Sequence, residues 1–185
     1  MILVLLADGF EEIEALAPVD MLRRAGCDVK TVSAQKESGF ATGSHGIRVE
    51  CDLLPEEVNL SEIDTVIFPG GMPGAVNLDK FYFTDVIINE IVKRGGRLAA
   101  ICAAPLVLGR RGLLKGKRAT CYPGFECELL GAALSSDAVV TDGNITTARG
   151  MGVALEFAEE LVRLAVGEEA AVKISDSIMK QNQKS

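Results

Sequence analysis

Short apolar runs alternate along this chain with longer segments in which apolar residues recur every three or four positions. Runs of this kind are typical of strands that are covered on both faces of a sheet. They predict strands at residues 2–6, 27–32, 65–68, 97–101, 139–140 and 145–147. The periodic segments predict helices at residues 11–25, 85–94, 152–166 and 168–180, with another that begins at Ala103.

Strands that alternate with helices are typical of βαβ units and of a mostly parallel sheet. Residues 39–51 interrupt the alternation, and the turn signal at residues 42–44 predicts a small β-hairpin there. Residues 142–144 predict a second hairpin turn. Since no linker, repeat or low-complexity tract is present, we expect one α/β domain over residues 1–185.

Composition and charge narrow the class of protein. Hydrophobic residues make up 48% and charged residues 24%, as in a globular protein with a buried core. No apolar run reaches the roughly 18–20 residues of a membrane-spanning helix, and the N-terminal run lacks the basic start of a signal peptide, so we expect a cytoplasmic protein. The net charge of −7 argues against nucleic acid or an anionic membrane as a partner.

The cysteines and the histidine limit the possible chemistry. Five cysteines are scattered without a C-x-x-C pair, which favours reduced thiols over a disulfide framework. Only one histidine, His45, is present, so we expect no metal site. We interpret Cys27 and Cys51 as buried residues that pack as small apolar groups.

Cys102 is the strongest candidate for a reactive residue. It follows a predicted strand, precedes a predicted helix and lies between small residues, which is the arrangement of a nucleophile elbow without its flanking glycines. We therefore expect crowded backbone angles at Cys102. A helix N-terminus at Ala103 would stabilise the thiolate and lower the thiol pKa. The alternative is a buried cysteine with a packing role.

Glu14 is the second candidate. It lies in the first predicted helix among residues that face the core, four positions before Pro18, whose ring removes a helix hydrogen bond at the Glu14 carbonyl. Near the strand edge, such an acid could stay protonated and donate a hydrogen bond to a thiolate. Alternatively, Glu11, Glu12 and Glu14 only stabilise the helix N-terminus.

Other candidate site residues lie near the predicted carboxyl ends of the strands, where α/β proteins bind ligands. Gly70 and Gly71 could present backbone N–H groups to a reacting oxygen, or form only a turn. Tyr122 follows residues 118–119 and could line the same site. Because His45 lies in the hairpin, a cysteine–histidine triad is not expected, and His45 is interpreted as a structural or surface residue.

Ordered motifs over nearly the whole chain resemble the ThiJ/PfpI superfamily, whose fold is class I glutamine amidotransferase-like, and most closely the branch of the parkinsonism-associated deglycase and its bacterial relatives. The motifs are G-F-E-E-I-E at 9–14, P-V-D at 18–20, R-R-A-G at 23–26, P-G-G at 69–71, G-A-x-N-L at 74–78, A-A-I-C-A-A-P at 99–105, T-A-R-G-x-G at 147–152 and E-F-A at 156–158.

The resemblance implies a flavodoxin-like three-layer α/β/α sandwich and a homodimer, for which we expect contacts through the first helix at Ile13. It also implies that Cys102 is the reactive cysteine, that Glu14 is its protonated partner, and that the N–H groups of Gly71 and Ala103 form an oxyanion-binding pocket. No cofactor is implied.

The same resemblance implies three functions. The first is a cofactor-independent enzyme for small reactive aldehydes, which converts methylglyoxal to lactate or removes early glycation adducts. The second is a redox sensor or stress-protective, chaperone-like protein in which Cys102 is oxidised. A peptidase or amidase is the third, and it is disfavoured because Ala103 stands where that branch has histidine. Tyr122 stands where other members carry a histidine.

Overall fold

A computed structural model describes residues 1–35 and 38–180. Its central sheet has six strands in the order β2–β1–β5–β6–β10–β9. All neighbouring strands are parallel except β10 and β9, which are antiparallel. The strands of this sheet are β1 Ile2–Leu6, β2 Val29–Ser33, β5 Thr65–Phe68, β6 Arg97–Ile101, β9 Val139–Asp142 and β10 Ile145–Ala148. The mostly parallel α/β fold expected from the sequence is confirmed.

The helices cover both faces of this sheet. They are α1 Glu12–Arg24, α2 Gly74–Lys80, α3 Tyr82–Arg94, α4 Pro105–Arg110, α5 Ala154–Val166 and α6 Glu168–Ser177. Leu3 and Leu5 of β1 pack into one core with residues of α2, α3 and α4, whereas Val4 and Leu6 pack into a second core with residues of α1, α5 and α6. Successive side chains of a strand point to opposite faces, so an uninterrupted apolar strand supplies both cores.

Two small sheets lie outside the central one. Strands β3 Phe40–Thr42 and β4 Arg48–Glu50 are antiparallel and form the hairpin predicted at residues 39–51. Strands β7 Arg118–Ala119 and β8 Ala133–Leu134 pair in parallel over two residues, which is too short for a sequence pattern to reveal. Within the described residues, no helix has the length and apolar character needed to cross a membrane.

Several predicted boundaries were wrong. The helix expected at 85–94 begins at Tyr82, and α2 precedes it without having been predicted. The helix expected from Ala103 begins at Pro105, because residues 102–104 form a turn and proline is favoured in the first turn of a helix. At residues 151–153 a 3₁₀ turn precedes α5, and α6 ends three residues earlier than expected.

Candidate functional site

The candidate site lies where β1, β5, β6 and β10 reach the same edge of the sheet. Cys102 directly follows β6 and has φ +65°, one of two positive φ values among the described non-glycine residues. Its N–H donates to the Ala148 carbonyl at 2.9 Å, and its carbonyl accepts from the Tyr122 N–H at 2.8 Å. These bonds hold the backbone from both sides, so the surroundings impose the left-handed conformation. The expected crowded backbone at Cys102 is confirmed.

Glu14 approaches Cys102 from the first turn of α1. The Glu11 side chain caps this helix by accepting a hydrogen bond from the Glu14 N–H at 2.7 Å. The Glu14 side chain is 1% exposed, and one carboxyl oxygen accepts a hydrogen bond from the Gly70 N–H at 3.0 Å. The Met151 N–H is a second backbone donor to this carboxyl group. Glu14 is therefore a buried acid at the edge of the sheet.

Gly70 allows Glu14 and Cys102 to approach each other. A Cβ atom at residue 70 would lie 2.5 Å from Glu14 Oε2 and 2.6 Å from Cys102 Cβ, so any larger residue would overlap both. With that space left open, the side chains of Glu14 and Cys102 interact directly. Gly70 is thus required by close packing between the two candidate residues.

Backbone N–H groups surround the sulfur on another side. The N–H groups of Gly71 and Ala103 both interact with the Cys102 sulfur and lower its pKa. Gly71 has φ +88°, and a Cβ atom there would overlap the backbone of Glu11 and Gly9. The structure therefore brings both predicted N–H donors to Cys102, and it shows why residue 71 is glycine.

The pKa values of the two side chains depend on each other. Burial raises the pKa of Glu14 from its ordinary value of 4.5 to about 7. Burial and the neighbouring Glu14 carboxylate raise the pKa of Cys102 to about 12. The net shift is opposite to the lowering expected at a helix N-terminus, because burial and Glu14 outweigh the N–H groups of Gly71 and Ala103, which lower the pKa of Cys102. Below about pH 7 both groups carry a proton, and above it the pair retains one proton, which either the carboxyl group or the sulfur can carry.

Tyr122 and Gly150 form a further wall of the site. A Cβ atom at Gly150 would lie 3.2 Å from Tyr122 Cδ2 and 3.9 Å from Cys102 Sγ, so Gly150 is a neighbour of both the Tyr122 ring and the sulfur. The Tyr122 side chain is 51% exposed. Gly150 and Met151 were not predicted as site residues, although both lie in or beside the glycine-containing motif at residues 147–152.

His45 contacts helix α1 through Glu12. Its ring Nδ1 is 2.9 Å from Glu12 Oε2, and its N–H donates to Glu12 Oε1 at 2.8 Å. Ligand atoms of Glu11, Glu12 and His45 lie within 4.8 Å of one another, but Glu12 and His45 already bond to each other. The structural interpretation of His45 is confirmed, whereas the buried Glu12 carboxylate was not predicted.

The comparisons with known proteins agree with this fold. The DJ-1/PfpI family description matches residues 1–164, and the chain belongs to this family. The chain is 33% identical to the protein dj-1beta of Drosophila melanogaster over 179 residues, which cover 96% of this chain and 95% of that one. It is 36% identical to a protein of Pyrococcus abyssi named a deglycase, over 88% of this chain and 98% of that one.

Solved structures show the same likeness. The structure of oxidized Toxoplasma gondii DJ-1 has a TM-score of 0.92 at 33% identity, with 98% of both chains covered. The chain is 37% identical to the DJ-1 homolog B of Arabidopsis thaliana over 96% of its own length, but it spans 41% of that protein. For homolog A of the same plant it spans 46%. The chain thus covers less than half of these two plant relatives.

Proposed function

We propose that this protein is an enzyme for small reactive aldehydes that uses Cys102 as its nucleophile and needs no cofactor. The observation that carries this proposal is the contact between the strained Cys102 and the buried Glu14 carboxyl group. A shared proton lets the pair exist as a thiolate beside a neutral carboxylic acid, and the thiolate is the nucleophilic form of cysteine. Relatives named deglycases support aldehyde chemistry at the level of the family.

In the first step the Cys102 sulfur attacks the aldehyde carbon of methylglyoxal. A carbon–sulfur bond forms, the C=O π electrons move to oxygen, and the Glu14 proton is transferred to that oxygen to give a neutral hemithioacetal. The N–H groups of Gly71 and Ala103, which interact with the sulfur, would stabilise the developing oxyanion on the neighbouring carbon.

In the second step Glu14, now a carboxylate, removes the proton from the carbon that bears the sulfur and returns it to the adjacent carbonyl carbon. The oxygen on the sulfur-bearing carbon loses its proton to the former ketone oxygen, which leaves a lactoyl thioester on Cys102. Water then cleaves the carbon–sulfur bond and releases lactate and the free thiol. Methylglyoxal and water thus give lactate without an oxidant or a reductant.

Lactate production from methylglyoxal tests this proposal. We expect turnover by the wild type and a loss of at least about 10²-fold in both Cys102→Ser and Glu14→Gln, the range that nucleophiles and general acid–base residues contribute. Cys127→Ser is the matched control, because Cys127 is an exposed cysteine, and it should retain full activity. Turnover that persists in Cys102→Ser would exclude the mechanism.

A redox function is a second candidate, because the neighbouring Glu14 would also stabilise an oxidised Cys102. A protonated Glu14 can donate to a sulfinate oxygen as well as to a thiolate. Mild peroxide should then add two oxygens to Cys102 before the other four cysteines, and Glu14→Leu should remove this selectivity in peptide mass spectrometry. Selective oxidation without lactate production would favour the redox function over the enzyme.

A further inference from the structure

The peptide group between Gly70 and Gly71 has a partner on each of its two sides. Its carbonyl oxygen, which belongs to Gly70, accepts a hydrogen bond from the Glu11 N–H at 3.0 Å. Its N–H, which belongs to Gly71, interacts with the Cys102 sulfur. The C=O and N–H bonds of a trans peptide point in opposite directions, so the bond to Glu11 directs the Gly71 N–H at the sulfur.

The two glycines leave the orientation of this peptide group to its contacts. Neither Gly70 nor Gly71 has a Cβ atom that restricts φ and ψ, so the peptide group between them rotates more easily than one between larger residues. A rotation by half a turn would point the Gly70 carbonyl oxygen at the sulfur and remove the N–H group from it. The hydrogen bond from Glu11 opposes this rotation, because the rotation would break it.

The backbone of Glu11 is in turn held by its own side chain. Glu11 is the N-cap of α1, with φ −83° and ψ 123°, and its carboxylate accepts from the Glu14 N–H at 2.7 Å. A Cβ atom at Gly71 would lie 2.3 Å from the Glu11 nitrogen, so the two backbones are in direct contact. Without the cap, the first turn of α1 loses a partner for one of its free N–H groups, and residue 11 is no longer fixed in this extended conformation.

We propose that Glu11 is a positioning residue that keeps the Gly71 N–H directed at the reacting centre. Its side chain caps α1, the cap fixes the backbone of residue 11, and the N–H of that residue holds the peptide group that carries the Gly71 N–H. This role rests on the proposed function, because the Gly71 N–H would stabilise the oxyanion that forms when Cys102 adds to an aldehyde. The Glu11 side chain acts through the backbone and needs no contact with the substrate.

Amide hydrogen exchange, measured by NMR on the whole chain, reports on this peptide group without any reaction at Cys102. In Glu11→Ala we expect exchange at Gly71 to accelerate at least about tenfold, while exchange at Ala103 stays like that of the wild type. Glu11→Asp should restore the protection of Gly71, because aspartate is a preferred N-cap residue. Glu168→Ala is the matched control, since Glu168 is an exposed acid in the first turn of α6.

Kinetics with methylglyoxal test the consequence for the reaction. Loss of one oriented oxyanion donor lowers kcat by about 10²–10³-fold in well-studied enzymes. In Glu11→Ala the donor is present but no longer fixed, so we expect kcat to fall about tenfold or more while KM changes less than about twofold. Glu11→Asp should recover most of the wild-type kcat, and Glu168→Ala should retain all of it.

The two measurements separate this proposal from the proposed function. Unchanged exchange at Gly71 in Glu11→Ala overturns the positioning role, whether or not the wild type produces lactate. Equal acceleration at Gly71 and Ala103, no recovery in Glu11→Asp, or a wild-type kcat in Glu11→Ala also overturns it. Selective acceleration at Gly71 in a protein that makes no lactate supports the positioning of the N–H and contradicts only the aldehyde reaction. If Glu11→Ala does not fold, Glu11→Gln, with a weaker capping oxygen on a side chain of the same length, gives the same comparison.

Discussion

At the scale of single residues, Cys102 is defined by its backbone conformation. A left-handed conformation at a residue other than glycine is unfavourable by about 1–2 kcal/mol. The bonds to Ala148 and Tyr122 maintain it, and the turn directs the side chain towards Glu14 and the N–H groups of Gly71 and Ala103. The strained backbone at Cys102 is therefore the conformation that brings its side chain into the candidate site.

Glu12 and Glu14 show how strongly the surroundings of a carboxyl group control its pKa. Both side chains are buried in the first turn of α1. Glu12 accepts hydrogen bonds from the segment around His45, and these lower its pKa to about 2 even though burial alone would raise it. Glu14 has fewer donors and lies beside Cys102, so burial dominates and raises its pKa to about 7.

The raised pKa of Glu14 predicts a stability change with pH. The folded state holds the Glu14 proton more tightly than the unfolded state, so this contribution is complete below pH 4.5 and is lost as the pH rises to about 7. A shift of this size changes the free energy of unfolding by on the order of 3 kcal/mol between these two pH values. Urea unfolding between pH 4.5 and 6.5 should show wild-type stability falling relative to Glu14→Gln.

The pH range from 4.5 to about 7 separates the contribution of Glu14 to stability from those of Glu12 and His45. The stabilisation by Glu12 is lost only as the pH falls from 4.5 towards 2, since its pKa is lowered. The pKa of His45 is raised by Glu12, so the contribution of His45 changes only above pH 6.5. Parallel stability curves for the wild type and Glu14→Gln would show that Glu14 is not protonated near neutral pH.

At the scale of elements, Glu12 joins the hairpin of β3 and β4 to helix α1. Its carboxylate accepts from the N–H groups of His45 and Ile47 at 2.8 and 3.4 Å and from the Ser44 hydroxyl at 3.4 Å. These donors come from the loop between the two hairpin strands, more than 30 residues along the chain. The connection fixes the loop against the same helix turn that presents Glu14.

Loss of the Glu12 charge should release this loop. In Glu12→Gln we expect a free energy of unfolding about 2 kcal/mol lower at pH 7, because hydrogen bonds to a buried carboxylate are replaced by weaker ones to an amide. Amide hydrogen exchange at His45 and Ile47 should accelerate in this variant. Glu50→Gln, on exposed β4, is the control, and equal exchange in both variants would contradict the proposed role of Glu12.

At the scale of the whole molecule, we propose a homodimer that uses helix α1. Ile13 is 50% exposed although Glu12 and Glu14 on either side of it are buried, so α1 presents an apolar side chain to solvent beside the candidate site. The relationship to the DJ-1/PfpI family suggests a second copy of the chain as the partner of this surface.

The oligomeric state tests the proposed dimer. Light scattering at micromolar concentration should give twice the chain mass for the wild type and the mass of one chain for Ile13→Asp, because an unpaired charge at an apolar contact is strongly unfavourable. Val92→Asp is the control, because Val92 has a similar exposure of 46% but lies on α3, across the sheet. A monomeric wild type, or a dimeric Ile13→Asp variant, would exclude a dimer through Ile13.

The sequence by itself determined the alternation of strands and helices, the mostly parallel sheet and the position of Cys102 after β6. Hydrophobic periodicity is a local property, and it was enough for these features. The motifs also singled out Glu14, Gly71 and Ala103, which the structure brings to Cys102. The short helix α2 and the late start of α4 were missed because few residues carry their patterns.

Only the tertiary structure decided which polar groups meet. Glu14 bonds to Gly70 across 56 positions of the chain, and Glu12 bonds to His45 across 33. Two glutamates in one helix turn therefore acquire opposite pKa shifts. Burial and hydrogen bonding depend on neighbours distant in the chain, so no local pattern contains them.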